Sequence, residues 1–186
     1  MIDYVHQNPD RAWQIRQRPD LFRLRRDTVV AGMRFSSMGN HWLLQWPIRQ
    51  AIVCSRSISD EALATAESTA LARAANGAVT YSAAISPGEQ RIMRTVRNAG
   101  YPVVVLLKDG FPPAGSPHER YYKPGGVYFE TCCAGRLLLL EATAQTFALP
   151  AVIAATDDAL YQKAQARHMS YTPPQASARA FCINLL

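Results

Sequence analysis

Several things are scarce in this chain, and each scarcity removes a class of function. Its 186 residues contain no apolar run near the roughly 20 residues needed to cross a bilayer, so no membrane partner is expected. The first residues are polar rather than an apolar leader, which makes the cytoplasm the expected compartment. Cysteine is sparse, at Cys54, Cys132, Cys133 and Cys182, and no two of these form a CxxC pair. Histidine is equally sparse, at His6, His41, His118 and His168, with no spacing that would complete a metal site. Neither a metal nor any other cofactor is therefore expected. The cysteines read as buried thiols, with a reactive vicinal pair at Cys132-Cys133 as the alternative. No internal repeat or low-complexity tract is present.

Acidic residues are also in the minority, 14 against 20 basic, for a formal charge of +6. The excess is uneven: residues 1–50 hold eight arginines against four aspartates, which is +4 of the +6. A basic segment of this kind is an electrostatic reason to consider a nucleic-acid partner.

What the chain does have is a hydrophobic content of 48%, enough for a core, and a length that fits one domain with an appended arm. The stretch Ala51 to Ala142 organises it. Apolar runs at Arg49–Cys54, Val79–Tyr81, Val103–Leu107 and Leu137–Leu140 alternate with helical patterns, the signature of a parallel sheet covered on both faces. The expected fold class is α/β, a Rossmann-like three-layer sandwich with a mostly parallel sheet, preceded by an N-terminal helix and a β-hairpin. In such sheets the ligand crevice lies beyond the carboxyl ends of the strands, where Ser55-Arg56-Ser57 and Ser82 to Glu89 fall.

The first crossover helix should begin after Ser57-Ile58-Ser59-Asp60 and end near Asn76-Gly77, with Leu63, Ala66, Ala70, Leu71 and Ala74 inward. The second starts at Ser86-Pro87-Gly88-Glu89, a capping box with proline at the first helical position. Capping accounts for Ser86 and Glu89, and ligand contact is the competing reading of both. Before the sheet, residues 1–20 read as a helical arm interrupted at Asn8-Pro9. Residues 21–46 read as an edge hairpin turning at Ser37 to Asn40, with Arg23, Arg25 and Arg34 as a candidate phosphate-binding stripe. Residues 109–126 are a proline- and glycine-rich loop suited to a lid or binding role. Val127 to Glu130 reads as a short strand. A helix over Asp157–Arg167, a linker at Tyr171–Pro174 and an apolar tail form a C-terminal helical region, 150–186, which would belong with residues 21–149 to one domain.

Asp3 to Ala12, with Tyr4-Val5 and Asn8-Pro9-Asp10-Arg11, resembles the terminal helix of the REP-associated tyrosine transposases of the HUH class. That resemblance would make Tyr4 a phosphotyrosine-forming nucleophile. The family also needs a His-hydrophobic-His strand to hold its metal, and this chain has none. A phenol with a pKa near 10 attacks poorly without that help.

The order of features over 51–142 resembles the DNA-processing protein A (Smf/DprA) family of the Rossmann-like SLOG group. Cys54-Ser55-Arg56 stands where that family has a glycine-x-arginine strand end. Ser82-Ala83-Ala84-Ile85-Ser86-Pro87-Gly88-Glu89 stands where it has serine-glycine-x-alanine-x-glycine-x-aspartate, and Glu141-Ala142 closes the last strand. Ser55 and Ala83 replace glycines that let backbone approach phosphate, and Glu89 replaces an aspartate. The resemblance implies a non-enzymatic module that binds single-stranded DNA or a nucleotide beside a mobile element. Its site residues would be Ser55, Arg56, Ser57, Ser82, Ser86, Gly88, Glu89 and Arg91.

Pro124-Gly125-Gly126 resembles the start of the LOG-type phosphoribohydrolase motif, which implies nucleotide N-glycosidase chemistry with Glu130 or Glu141 as the carboxylate. Cys132 occupies that motif's own glutamate position. A third reading is a Rossmann-like interaction scaffold, with a homo-oligomer as an option, whose crevice is filled by its own side chains, Tyr81, Phe111 or Tyr128.

Overall fold

The computed structural model describes residues 2–30, 33–107, 110–116, 118–119 and 122–142, with side chains described from residue 9 onward except at 31–33 and 142. The fold class is α/β. Helix α1 (Ile2–Gln17) leads through a 3-10 turn (Pro19–Phe22) into strands β1 (Arg25–Val30) and β2 (Met33–Gly39). A second 3-10 turn (His41–Gln45) is followed by β3 (Arg49–Ala51), α2 (Asp60–Ala75), β4 (Val79–Ser82), α3 (Pro87–Asn98), β5 (Val103–Leu106), α4 (Val127–Cys133) and β6 (Leu137–Ala142). The six strands form one sheet in the order β1-β2-β6-β5-β4-β3. β3 to β6 are mutually parallel, and the β1-β2 hairpin joins antiparallel to β6.

The alternation of side chains splits the core. On one face Val103, Val105, Leu137, Leu139 and Met38 pack against Leu63, Ala70 and Ala74 of α2, Ile92, Met93 and Val96 of α3, and Phe129 and Cys132 of α4. Successive parallel strands step in one direction across the sheet, and right-handed crossovers place their helices on a single side. On the opposite face Val79, Tyr81, Val104, Leu106, Leu138 and Leu140 are buried as well. Among the described residues, Leu43 and Leu44 of the 3-10 turn, Ala83 and Ile85 of the loop after β4, and Val30 and Phe35 of the hairpin belong to this cluster. The C-terminal helical region expected over 150–186 lies outside the described residues.

The hairpin is present but turned elsewhere. β1 pairs with β2 across residues 31–32 rather than across Ser37 to Asn40. The residues expected as its return strand, His41 to Gln45, form the 3-10 turn capped by Asn40, whose side chain accepts from Trp42 N. Leu21-Phe22 is also 3-10 rather than strand, because Pro19 starts a turn and Phe22 stacks on Phe129 with ring centroids 5.1 Å apart. α1 continues through Pro9 instead of restarting there. Arg11 lies over the Phe129 ring at 4.9 Å, and Arg18 donates to Cys133 O at 2.7 Å, docking the arm on α4. Val127 to Glu130 is helix rather than strand. Gly126, at φ +51, opens it, and Thr131 Oγ1 donates back to Val127 O. β3 stops at Ala51, three residues short of Cys54, although Ile52 N still donates to Tyr81 O at 2.8 Å.

Candidate functional site

The carboxyl ends of β3 and β4 do come together, and the group that joins them is a side chain. Glu89 is fully buried at the first turn of α3. Its Oε1 accepts from Cys54 N at 3.1 Å, while its Oε2 accepts from Ile85 N at 2.7 Å and Ser86 N at 3.1 Å. Ser86 Oγ accepts from Glu89 N at 3.2 Å, completing the capping box expected at this position. Backbone N–H groups converging at a helix N-terminus are the usual makings of an anion site. Here the anion is the chain's own carboxylate.

The neighbouring serines are used internally too. Ser82, fully buried, donates from Oγ to Ile52 O at 2.9 Å and accepts from Ala84 N at 3.0 Å. That local bond draws Ala84 into the left-handed region at φ +47, where an alanine is strained. Gly88 faces the first bend. A Cβ there would sit 3.3 to 3.4 Å from Ile58, Leu63 and Cys54, so its missing side chain allows α3 to approach α2 and the β3 end. Arg91 points away from the crevice and ion-pairs with Glu67 of α2 at 2.8 Å. Thr95 also donates to Glu67, and with Arg91 it holds that carboxyl below its ordinary range. Of the expected site residues, Ser55, Arg56 and Ser57 alone form the outer rim. Ser55 Oγ lies 3.0 Å from Ser57 Oγ and accepts from Ser57 N at 3.2 Å, with Arg56 and Ser57 exposed.

The aromatic plugs named as an alternative lie elsewhere. Tyr81 reaches the opposite face, donating to Leu43 O at 2.9 Å. Phe111 packs edge-on to Tyr122, and Tyr128 lies under Arg97. Tyr4 belongs to α1, and its side chain is not among those described. Glu130 is exposed on α4. Burial pushes the Cys132 thiol up to about 12, with Cys133 adding to the shift, which leaves negligible thiolate at neutral pH.

A second cluster, of which the sequence pointed only to Glu141, lies at the carboxyl ends of β5 and β6. Arg26 ion-pairs with Glu119 at 2.9 Å and approaches Glu141 at 3.6 Å, and it also donates to Pro112 O and to Ser36 Oγ. Gly110 makes room for Glu141, since a Cβ at that position would collide with the carboxylate. Arg26 escaped notice because the strand register shifts between Arg25 and Thr28. The same shift breaks the expected arginine stripe. Arg25 stands opposite Ser37, whereas Arg34 shares the alternate parity of Ser36 and Met38, so the two fall on opposite faces.

No family model, curated protein or solved structure matches this chain.

Proposed function

We propose that the chain is a non-enzymatic, DprA-like nucleic-acid-binding module working beside a mobile-element transposase. Its mixed sheet would be the core of a Rossmann-like three-layer sandwich. The observation that carries this reading is the clamp on Glu89. It fixes the β3 and β4 bends as one rigid rim, with Ser55, Arg56 and Ser57 at its mouth. With the deep amides engaged by Glu89, single-stranded DNA contacts the rim through its phosphates and does not enter the crevice. The formal charge of +6 supplies the attraction.

The test is fluorescence anisotropy with a labelled single-stranded oligonucleotide across a salt series. Binding should weaken steeply with salt, and Arg56→Ala should lower the log–log slope by about 0.7, the value for one lost phosphate contact on a single strand. Absence of binding at low ionic strength would refute the reading. The Glu89 carboxylate favours one other interpretation, a scaffold whose anion site is permanently filled from within. That scaffold predicts no oligonucleotide binding and a concentration-dependent self-association in sedimentation velocity.

A further inference from the structure

The second face of the sheet is buried more completely than its described neighbours explain. Tyr81, Val104 and Leu138 stand in register across β4, β5 and β6, and Leu106 stands beside Leu140. Val104, Leu138 and Leu140 are 0% exposed, and Tyr81 and Leu106 are 1% exposed. Side chains at the middle of a sheet stand roughly upright from the pleat, so their strand neighbours cannot hide the tips. Full burial there requires a second layer.

The described residues supply little of that layer. The helices that pack on the sheet, α2, α3 and α4, all lie on the first face. The second cluster contains no residue of any described helix. Outside the strands it holds Leu43 and Leu44 of the 3-10 turn, with Ala83 and Ile85 after β4. Leu43 is taken up at Tyr81, whose hydroxyl donates to Leu43 O at 2.9 Å.

Connectivity says what completes the cover. β6 ends at Ala142 with β5 on one flank and β2 on the other, so the chain that follows cannot add a strand beside it. That chain leaves from the interior of the sheet, where three helices already occupy the first face. Residues 143–186 lie outside the described residues, but their composition is on the page. More than half of them are apolar, above the 48% of the whole chain, which is the composition of a packed segment and not of a solvated tail. In the helical pattern over 157–167, Leu160 and Ala164 share one side and Gln162 falls on the opposite one.

We propose that residues 143–186 fold back over β4, β5 and β6 as the missing layer, with Leu160 and Ala164 against Val104, Leu138 and Leu140. A helix over 157–167 is about 16 Å long, enough to cross three strands spaced about 4.8 Å apart. The preceding segment, 143–156, reaches up to about 46 Å when extended, so the return path is unstrained. Parallel sheets of this kind are covered on both faces. The cover completes the three-layer sandwich proposed above and is independent of the Ser55-Arg56-Ser57 rim.

The experiment is methyl NOESY on the full chain. Cross-peaks should link Leu160 and Ala164 to Val104, Leu138 and Leu140, and none should link them to Leu63, Ile92 or Val96 on the first face. In an isotope-filtered spectrum of labelled and unlabelled chains refolded together, the same cross-peaks should be absent. Their appearance there would assign the cover to a second copy and overturn the proposal. A spectrum with no cross-peak from Leu160 or Ala164 to the second face would overturn it as well. Leu160→Asp should raise the fluorescence of an anilinonaphthalene sulfonate probe several-fold and lower the urea midpoint, while Gln162→Asp should change neither. An unchanged midpoint and probe signal in Leu160→Asp would overturn the contact. None of these measurements reads oligonucleotide binding, so the cover and the rim fail separately.

Discussion

The amide of Cys54 donates to the Glu89 carboxylate at 3.1 Å across 35 residues of sequence. This one bond ties the end of β3 to the start of α3. With the Ile85 and Ser86 amides on the other oxygen, a single side chain adds to the Ser82–Ile52 hydrogen bond in fixing the two bends to each other. The capping box and the candidate crevice are thus one structure.

Replacing Glu89 tests the clamp directly. Glu89→Gln keeps the length but loses the charge and presents an amide group to N–H donors. Hydrogen bonds to charged groups contribute roughly 1.5–3 kcal/mol, and each orphaned buried donor costs about 1–3 kcal/mol. The expected loss is about 3 kcal/mol in urea denaturation, well above the ~1 kcal/mol expected for removing only the N-cap in Ser86→Ala. Equal losses in the two variants would show that Glu89 acts as a cap alone.

Ala84 offers a gain instead. An L-residue in the left-handed region costs roughly 1–2 kcal/mol, and Ala84 sits there at φ +47. Glycine removes that strain but adds about 0.5–1 kcal/mol of unfolded-state entropy. Ala84→Gly should therefore stabilise the fold by about 0.5–1 kcal/mol, read as a rise in the urea midpoint at unchanged slope. A lower midpoint would mean the bend is not strained at this residue.

The parts of the fold legible in the sequence were those set by local rules. α2 is capped by Ser59 and buries Leu63, Ala70 and Ala74 of the five inward residues its spacing predicted, with Ala66 and Leu71 half-buried. The Ser86-Glu89 box was readable from four residues, and the continuous apolar run Leu137 to Leu140 marked a central strand. Failures came where a distant contact outweighed the pattern. Leu21 to Arg25 alternates like a strand, yet Phe22 is needed in the core beside Phe129 and the segment turns. Val127 to Glu130 has strand-like residues, but the glycine opening at Gly126 and the cover it gives to β6 favour a helix. In the candidate site, the convergence of the two bends followed from strand order. That Glu89 would fill the space between them depends on its rotamer, which no spacing encodes. The Arg26 cluster depends on an irregular register that likewise leaves no mark in the residues around it.

His41 should make stability depend on pH. Its Nε2 lies 2.8 Å from Ser37 Oγ, and burial, followed by the charge of Arg25, holds the ring below its ordinary value of about 6.5. The folded state thus binds the proton less readily than the unfolded chain. Its contribution is complete above about pH 6.5 and declines as pH falls through the folded-state value. Urea midpoints should drop between pH 7.5 and 5, and the drop should be smaller in His41→Gln. An NMR titration of His41 with a midpoint above 6.5 would reverse the sign and refute the account.

Arg91 and Arg56 separate a structural arginine on the crevice helix from the proposed binding one on the rim. Arg91 is paired with Glu67 at 2.8 Å, with its side chain about half exposed. Exposed pairs of this kind contribute roughly 0.2–1 kcal/mol, so a double-mutant cycle with Glu67→Gln should return a coupling in that range. The oligonucleotide affinity of Arg91→Ala should be unchanged, because the guanidinium is committed to α2. Arg56 is exposed on the Ser55–Ser57 loop, and Arg56→Ala should leave the urea midpoint within about 0.5 kcal/mol of the parent while weakening oligonucleotide binding and flattening its salt dependence. If Arg91→Ala weakens binding and Arg56→Ala does not, the nucleic acid follows the α2–α3 surface instead of the rim, and the placement of the interface is wrong.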